Sequence, residues 1–176
     1  MTQKDIPNCF LPVTQLSEKM EEGVLSSLEL IEEYLERIRK YDRNLGAFID
    51  VYEEEARKAA SASDMARASG YIIGPLQGIP VAVKDIIDIE GKITTGGSRV
   101  WKDRRSSLTA TLVRRMVEAG MIVLGKTHTV EFAMGSFGTN QHMGSPKNPW
   151  DLEDHRSTGG SSAGTASAVA AGLTPW

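Results

Sequence analysis

Two short stretches carry residue types that could do chemistry together. The first is Gly159-Gly160-Ser161-Ser162-Ala163-Gly164, two adjacent serines set between glycines. It leads into an alanine-rich run, Ala163 to Ala171, that reads as a helix of small residues. The serines therefore stand at a helix N-terminus, where hydroxyls and free backbone N–H groups converge on one small volume. The second is Val81-Ala82-Val83-Lys84-Asp85-Ile86-Ile87, which reads as a strand. Alternation along it puts Ala82, Lys84 and Ile86 on one face and Val81, Val83 and Asp85 on the other. Both faces contain apolar residues, so Lys84 is expected to be poorly solvated. Burial disfavours the ammonium form and lowers a lysine's pKa. A neutral lysine can take a proton from a serine hydroxyl, in the place histidine holds in a Ser–His pair.

Each stretch also has a plainer reading. Ser and Gly are ordinary capping residues, so the turn serves either role. A lysine at a strand end can run its stem along the protein and keep its head in water. On local grounds that is the simpler reading of Lys84.

Other pattern matches fail on context. Gly120-Met121-Ile122-Val123-Leu124-Gly125-Lys126-Thr127 fits the phosphate-loop spacing, but that loop needs flexible backbone between a strand and a helix. Here the four variable positions are Met, Ile, Val and Leu, which look like the strand itself, preceded by a helix. Gly160-Ser161-Ser162-Ala163-Gly164 fits the nucleophile elbow G-x-S-x-G, which needs a strand before it and an acid and a histidine after it. Residues 151–158 make a poor buried strand, and no Asp, Glu or His follows Ser162. The histidines, His128, His142 and His155, lack metal-ligand spacing. His128 and Glu131 could share a helical face, but two groups make no metal site, and none is expected.

Composition bounds the remaining choices. The 176 residues are 40% hydrophobic and 24% charged, with a net charge of −3, the profile of one ordinary globular domain. No basic footprint for nucleic acid is present. Cys9 is the single cysteine, so no internal disulfide forms, which favours a reducing, cytoplasmic setting. Met1 to Asn8 shows no apolar run of a secretory leader, and no apolar stretch reaches membrane-spanning length.

Elements that would position the two stretches can be read along the chain. Thr14 to Glu22 is a short helix stopped by Gly23. Ser26 and Glu29 form a capping box, and Leu28, Ile31, Leu35 and Ile38 at helical spacing extend a helix to about Tyr41. Ala47 to Tyr52 is a strand and Glu53 to Ser69 a surface helix. Gly74 to Pro80 is a loop and Val81 to Ile87 the Lys84 strand. A loop rich in Gly and Thr, Gly91 to Ser98, follows. Thr109 to Ala119 is a helix, and Met121 to Gly125 a buried strand. Ser136 to Gly160 is long and irregular, as loops that cover a site are. Alternating helices and strands argue an α/β fold.

Four ordered blocks resemble the N-terminal part of an amidase signature family enzyme. They are Gly78-Ile79-Pro80-Val81-Ala82-Val83-Lys84-Asp85, Thr94 to Ser98, Gly125-Lys126-Thr127 through Glu131 to Ser136, and Asn148-Pro149-Trp150-Asp151 leading to Gly159-Gly160-Ser161-Ser162. Any one block is weak; the ordered set is specific and covers nearly the whole chain. The resemblance implies a mixed central sheet surrounded by helices, with residues 1–176 the N-terminal part of a single domain. It implies amide C–N hydrolysis through an acyl-enzyme by a Ser–Ser–Lys triad, with Lys84 as the base. Ser161 is then the middle serine, following a cis bond at Gly160–Ser161. Met134, Gly135 and Ser136 line the substrate pocket. The nucleophile belongs to an Asp-x-Gly-Gly-Ser segment, whose backbone also forms the oxyanion hole. None follows Ser161, so these residues are expected to be truncated ahead of it and inactive alone.

No cofactor or metal is implied. The expected ligand is a small amide, with no membrane and no direct nucleic acid unless the protein is an amidotransferase A subunit, which releases ammonia from glutamine for charged-tRNA amidation. A homodimer is left open, as is a non-catalytic remnant or binding protein. Ala163 stands where many members have glycine; alanine restricts positive φ.

Overall fold

The structure, a computed structural model, describes residues 6–176, so Met1–Asp5, at the end considered for a leader, lie outside the described residues. Three helices precede most of the sheet: α1 (Val13–Glu21), α2 (Ser27–Leu45) and, after strand β1 (Phe48–Val51), α3 (Glu53–Ala68). The Ser26–Glu29 capping box forms in both directions. Asp64 of α3 adds its carboxylate to the same helix start, accepting from the backbone N–H groups of Ser27 and Leu28 at 2.7 and 3.0 Å. Helix α2 runs four residues past the expected end at Tyr41. It buries Leu45 and stops at Gly46, whose φ of 61° is left-handed. Asp42 then accepts from the Ala47 and Phe48 N–H groups and turns the chain into β1.

Strand β2 (Pro80–Lys84), helix α4 (Thr111–Glu118) and strand β3 (Ile122–Thr127) complete a three-stranded mixed sheet in the order β1-β3-β2. β1 is antiparallel and β2 parallel to the central β3. Val81, Ala82 and Val83 are all buried, as a strand covered on both faces requires. β2 ends at Lys84, not Ile87, because the Ile86 and Ile87 N–H groups turn back onto the Lys84 carbonyl. β3 instead runs past Gly125, so Gly125-Lys126-Thr127 is strand, not phosphate loop. Gly125 is required there, since a Cβ would strike the Asp50 carbonyl across the β1 pairing.

Helix α5 (Ala163–Ala170) packs on β2 and β3. Arg37 of α2 closes its C-terminus, donating to the Ala171 and Gly172 carbonyls at 2.8 and 2.9 Å. The core joins Leu16, Leu30, Ile31, Tyr34, Leu35, Val81, Leu124, Ala168 and Leu173, so the helices cover a mixed sheet in an α/β fold. Among the described residues no helix is long and apolar enough to cross a membrane.

Candidate active site

The sheet and α5 bring together two residues 77 positions apart: Lys84 Nζ donates to Ser161 Oγ at 2.6 Å. Lys84 comes from the C-terminal end of β2, the end at which ligands gather in open α/β sheets. Ser161 comes from the turn before α5, and the Gly160–Ser161 peptide bond is cis. The Ser161 carbonyl accepts from the Val130 N–H at 3.0 Å and from Thr129 Oγ1 at 3.1 Å, which ties the turn to the chain leaving β3. The start of α5 lies equally close. Gly164 N–H donates to the His128 carbonyl at 3.0 Å, and a Cβ at Gly164 would collide with the backbone of Ala47 and His128.

Neither serine caps α5. Ser162 holds the N-cap position, but its side chain makes no capping bond, and the Ser161 hydroxyl is turned to Lys84. Ala163 is the first helical residue and is fully buried. It is not among the positive-φ residues, so its methyl costs the turn nothing.

Lys84 lines a cavity of about 230 Å³ with Ile87, Leu112, Val113, Met116 and Trp176 as apolar walls and Ser162 and Thr165 as hydroxyl neighbours. These surroundings offer the ammonium little solvation. Burial alone holds the Lys84 pKa below the ordinary lysine value, in the direction a base needs.

Directly behind Lys84 on the strand is a buried polar cluster that the sequence patterns did not point to. Lys126 Nζ, 1% exposed, donates to Asp85 Oδ1 at 3.2 Å, the Ile87 carbonyl at 2.8 Å and Thr94 Oγ1 at 2.9 Å. Asp85 Oδ2 accepts from the backbone N–H and hydroxyl of Thr95. The one available signal was the alternation that sent Asp85 to the face opposite Lys84, together with a lysine in an apolar strand at 126.

Met134, Gly135 and Ser136 are exposed. The 135–138 backbone packs against Gly160, where a Cβ would sit 2.8 Å from the Gly135 carbonyl oxygen and 2.9 Å from Gly138 N. The segment is launched from a short turn, Glu131–Ala133, with two left-handed residues: Phe132 at φ 46° and Ala133 at φ 60°. Phe132 N–H donates to the Gly96 carbonyl at 2.7 Å, and its ring meets Trp101 edge-on at 4.9 Å.

Asn140 is the other anchor. It donates to the Gly97 and Thr129 carbonyls at 2.7 and 3.0 Å and accepts from the His142 and Met143 N–H groups. His128 does not share a helical face with Glu131: it follows β3 in a segment that is not helical, and Glu131 lies 3.5 Å from His142 instead. Among the described residues no three His, Cys, Asp or Glu side chains cluster as metal ligands.

A sequence profile described as Amidase matches residues 29–176. The glutamyl-tRNA(Gln) amidotransferase A subunit of Halorhodospira halophila is 45% identical over 163 residues, covering 93% of this chain and 33% of that protein. The chain thus spans about one third of the length of the curated relatives it matches. Native peptide amidase from Stenotrophomonas maltophilia superposes with a TM-score of 0.86 at 36% identity, covering 96% of this chain and 35% of the other. A chain of a vestigial complex tied to the origins of an s-triazine catabolic enzyme reaches 0.88 at 37% identity, covering 93% and 36%. On its sequence blocks, the profile match and these shared backbones, the chain belongs to the amidase signature family.

Proposed function

We propose that the protein hydrolyses a carboxamide C–N bond through an acyl-enzyme, with Lys84 as general base and Ser161 as proton relay. The observation that carries this is the 2.6 Å contact between Lys84 Nζ and Ser161 Oγ beside an apolar cavity. With Lys84 neutral, its lone pair accepts the Ser161 O–H, and Ser161 Oγ in turn accepts the proton of an attacking serine hydroxyl. That oxygen bonds to the amide carbon, and the C–N bond breaks as the proton returns through Ser161 to the leaving amine. Water, deprotonated by the same route, then releases the acid. Met134, Gly135 and Ser136, beside Gly160, line the path of the substrate.

Residues 1–176 are read as one continuous part of a single amidase domain, since the described residues build one sheet and one core. They supply base and relay. No second hydroxyl hydrogen-bonds to Lys84 Nζ or Ser161 Oγ among the described residues, and the attacking serine and oxyanion hole are assigned to a segment beyond them. The 176 residues alone are therefore expected to be inert. A cytoplasmic setting suits a chain whose single cysteine, Cys9, is buried and free.

The test is Lys84→Ala and Ser161→Ala in the protein expressed from its complete reading frame. Ammonia release from benzamide and serine labelling by a fluorophosphonate provide the readouts. Loss of a base or relay is expected to lower kcat/KM by about 10²–10⁴-fold. Undiminished turnover in either variant would remove the pair from the chemistry.

A second reading has its own support: the curated relatives at 40–45% identity are A subunits of a glutamyl-tRNA(Gln) amidotransferase. It differs in substrate and company rather than in chemistry. Glutaminase activity that rises on adding co-purified partner subunits would select it.

A further inference from the structure

Lys84 is the last residue of β2 and Asp85 the next in the chain, and an anion one residue from a base is a liability. A carboxylate close to a lysine favours its charged form and raises its pKa, which opposes the neutral lysine that the proposed mechanism requires. Asp85 is nonetheless 1% exposed and hydrogen-bonded at both carboxylate oxygens. It faces Lys126 from the adjacent strand in a buried ion pair at 3.2 Å. Every donor of the Lys126 ammonium has an acceptor, in Asp85, the Ile87 carbonyl and Thr94. The second carboxylate oxygen of Asp85 is saturated by Thr95. Such a fully bonded pair is the arrangement in which buried charges persist.

Building on the amidase reading, we propose that Lys126 is a positioning residue. It neutralises Asp85 behind β2, so that the strand end is fixed by a carboxylate whose charge does not hold the proton on Lys84.

The surroundings of the strand end leave this task to Lys126. From β3 the titratable groups are Lys126 and His128, the latter within electrostatic reach of Asp85. From the end of β1 comes Tyr52, also within reach of Asp85. From the 88–106 loop come Asp88 and Arg104, which pair with each other at 2.6 Å, and Lys92, which pairs with Glu55. On the Lys84 side, α4 presents Leu112, Val113 and Met116, and α5 with its N-cap presents Thr165 and Ser162, none of them ionised. Burial holds the His128 imidazole below its ordinary pKa, so near pH 7 it does not supply the missing positive charge. Lys126 is the cation in contact with Asp85 among the described residues.

The deciding measurement is the Lys84 titration in the full-length protein carrying ¹³C-ε-lysine, with its resonance assigned by Lys84→Arg. Lys126→Met leaves Asp85 uncompensated and is expected to raise the Lys84 pKa by about one unit or more. Asp85→Asn leaves Lys126 uncompensated and is expected to lower it. Lys126→Arg keeps the charge and is expected to stay close to wild type. A merely structural role moves both charge variants the same way, toward a solvated lysine. Shifts of equal sign, or no shift, overturn the proposal. Should Lys126→Met fail to fold, Asp85→Asn decides by its sign alone.

Benzamide hydrolysis measured alongside separates this proposal from the reading beneath it. The acid limb of kcat/KM moves with Lys84 in Lys126→Met, about tenfold in rate per unit below that limb. Opposite NMR shifts without hydrolysis by any form keep the charge pairing and remove the amidase reading. Wild-type hydrolysis with an immobile Lys84 titration does the reverse.

Discussion

The two sides of the candidate site are built on opposite principles. On the sheet side, Lys84 ends β2 beside a buried ion pair between Asp85, the next residue, and Lys126 of β3, and each polar atom of that pair has a partner. On the loop side, only Gly138, Asn140 and Pro146 are buried between Glu131 and Gly160. That stretch takes its shape from turn conformations and from one asparagine whose side chain makes four hydrogen bonds. In the proposed roles, a base gains from burial a fixed position and a fixed electrostatic environment, whereas a segment meant to meet substrate has to be exposed, so conformation replaces packing.

The contrast is broken most severely on the sheet side. Asp85→Ala removes one member of the buried pair and leaves the Lys126 charge unmatched, which is expected to destabilise the protein by about 3–5 kcal/mol. Urea unfolding monitored by circular dichroism measures it. A loss below about 1 kcal/mol would mean that water reaches Lys126. The equivalent cut on the loop side, Asn140→Ala, leaves the Gly97 and Thr129 carbonyls without their buried donor, at about 1–3 kcal/mol. Hydrogen exchange distinguishes the two variants. Asn140→Ala should speed exchange at His142 and Met143 while β3 amides stay protected, whereas Asp85→Ala should expose β2 and β3 together.

How much of each side was legible in the sequence follows the same division. The helices, the sheet class and the Lys84–Ser161 pairing came from local patterns and from ordered family blocks. Capping residues and strand alternation are written in neighbouring positions. Element ends were less legible, because tertiary contacts set them: α2 continues to bury Leu45, and β2 stops where its carbonyl is taken by a turn. The Asp85–Lys126–Thr94–Thr95 cluster joins residues up to 41 positions apart, and no local pattern announces it. The Asn140 anchor was hidden for the same reason, lying in a loop whose composition indicates only irregularity.

A smaller effect sharpens the electrostatics of the sheet side. Burial lowers the His128 pKa below 6.5, and its Nδ1 has no hydrogen-bond partner. The unfolded chain therefore binds this proton more readily than the folded one between the depressed value and 6.5. In that window stability rises with pH, and it is lost as the solution is acidified. His128→Gln is expected to flatten that part of the profile, read as the difference between wild-type and variant unfolding free energies from pH 7 downward. Parallel profiles would show that His128 is solvated.

The smallest change tests whether conformation does replace packing on the loop side. Ala133 holds φ at 60°, a region that costs a residue with a Cβ roughly 1–2 kcal/mol. Glycine relieves that cost but loses about 0.4–1 kcal/mol more chain entropy on folding. Ala133→Gly is therefore expected to stabilise the fold by about 0.5–1 kcal/mol. The neighbouring Phe132→Gly relieves the same kind of strain but forfeits the edge-on contact with Trp101, so it should show no gain. If Ala133 orients the Met134–Ser136 segment toward substrate, the stabilised variant binds worse: KM for benzamide rises while kcat changes little, because Lys84 and Ser161 are untouched. Stability and KM rising together would mean that the left-handed turn is kept for positioning. A more stable variant with unchanged KM would leave Met134–Ser136 held by the Gly160 contact alone.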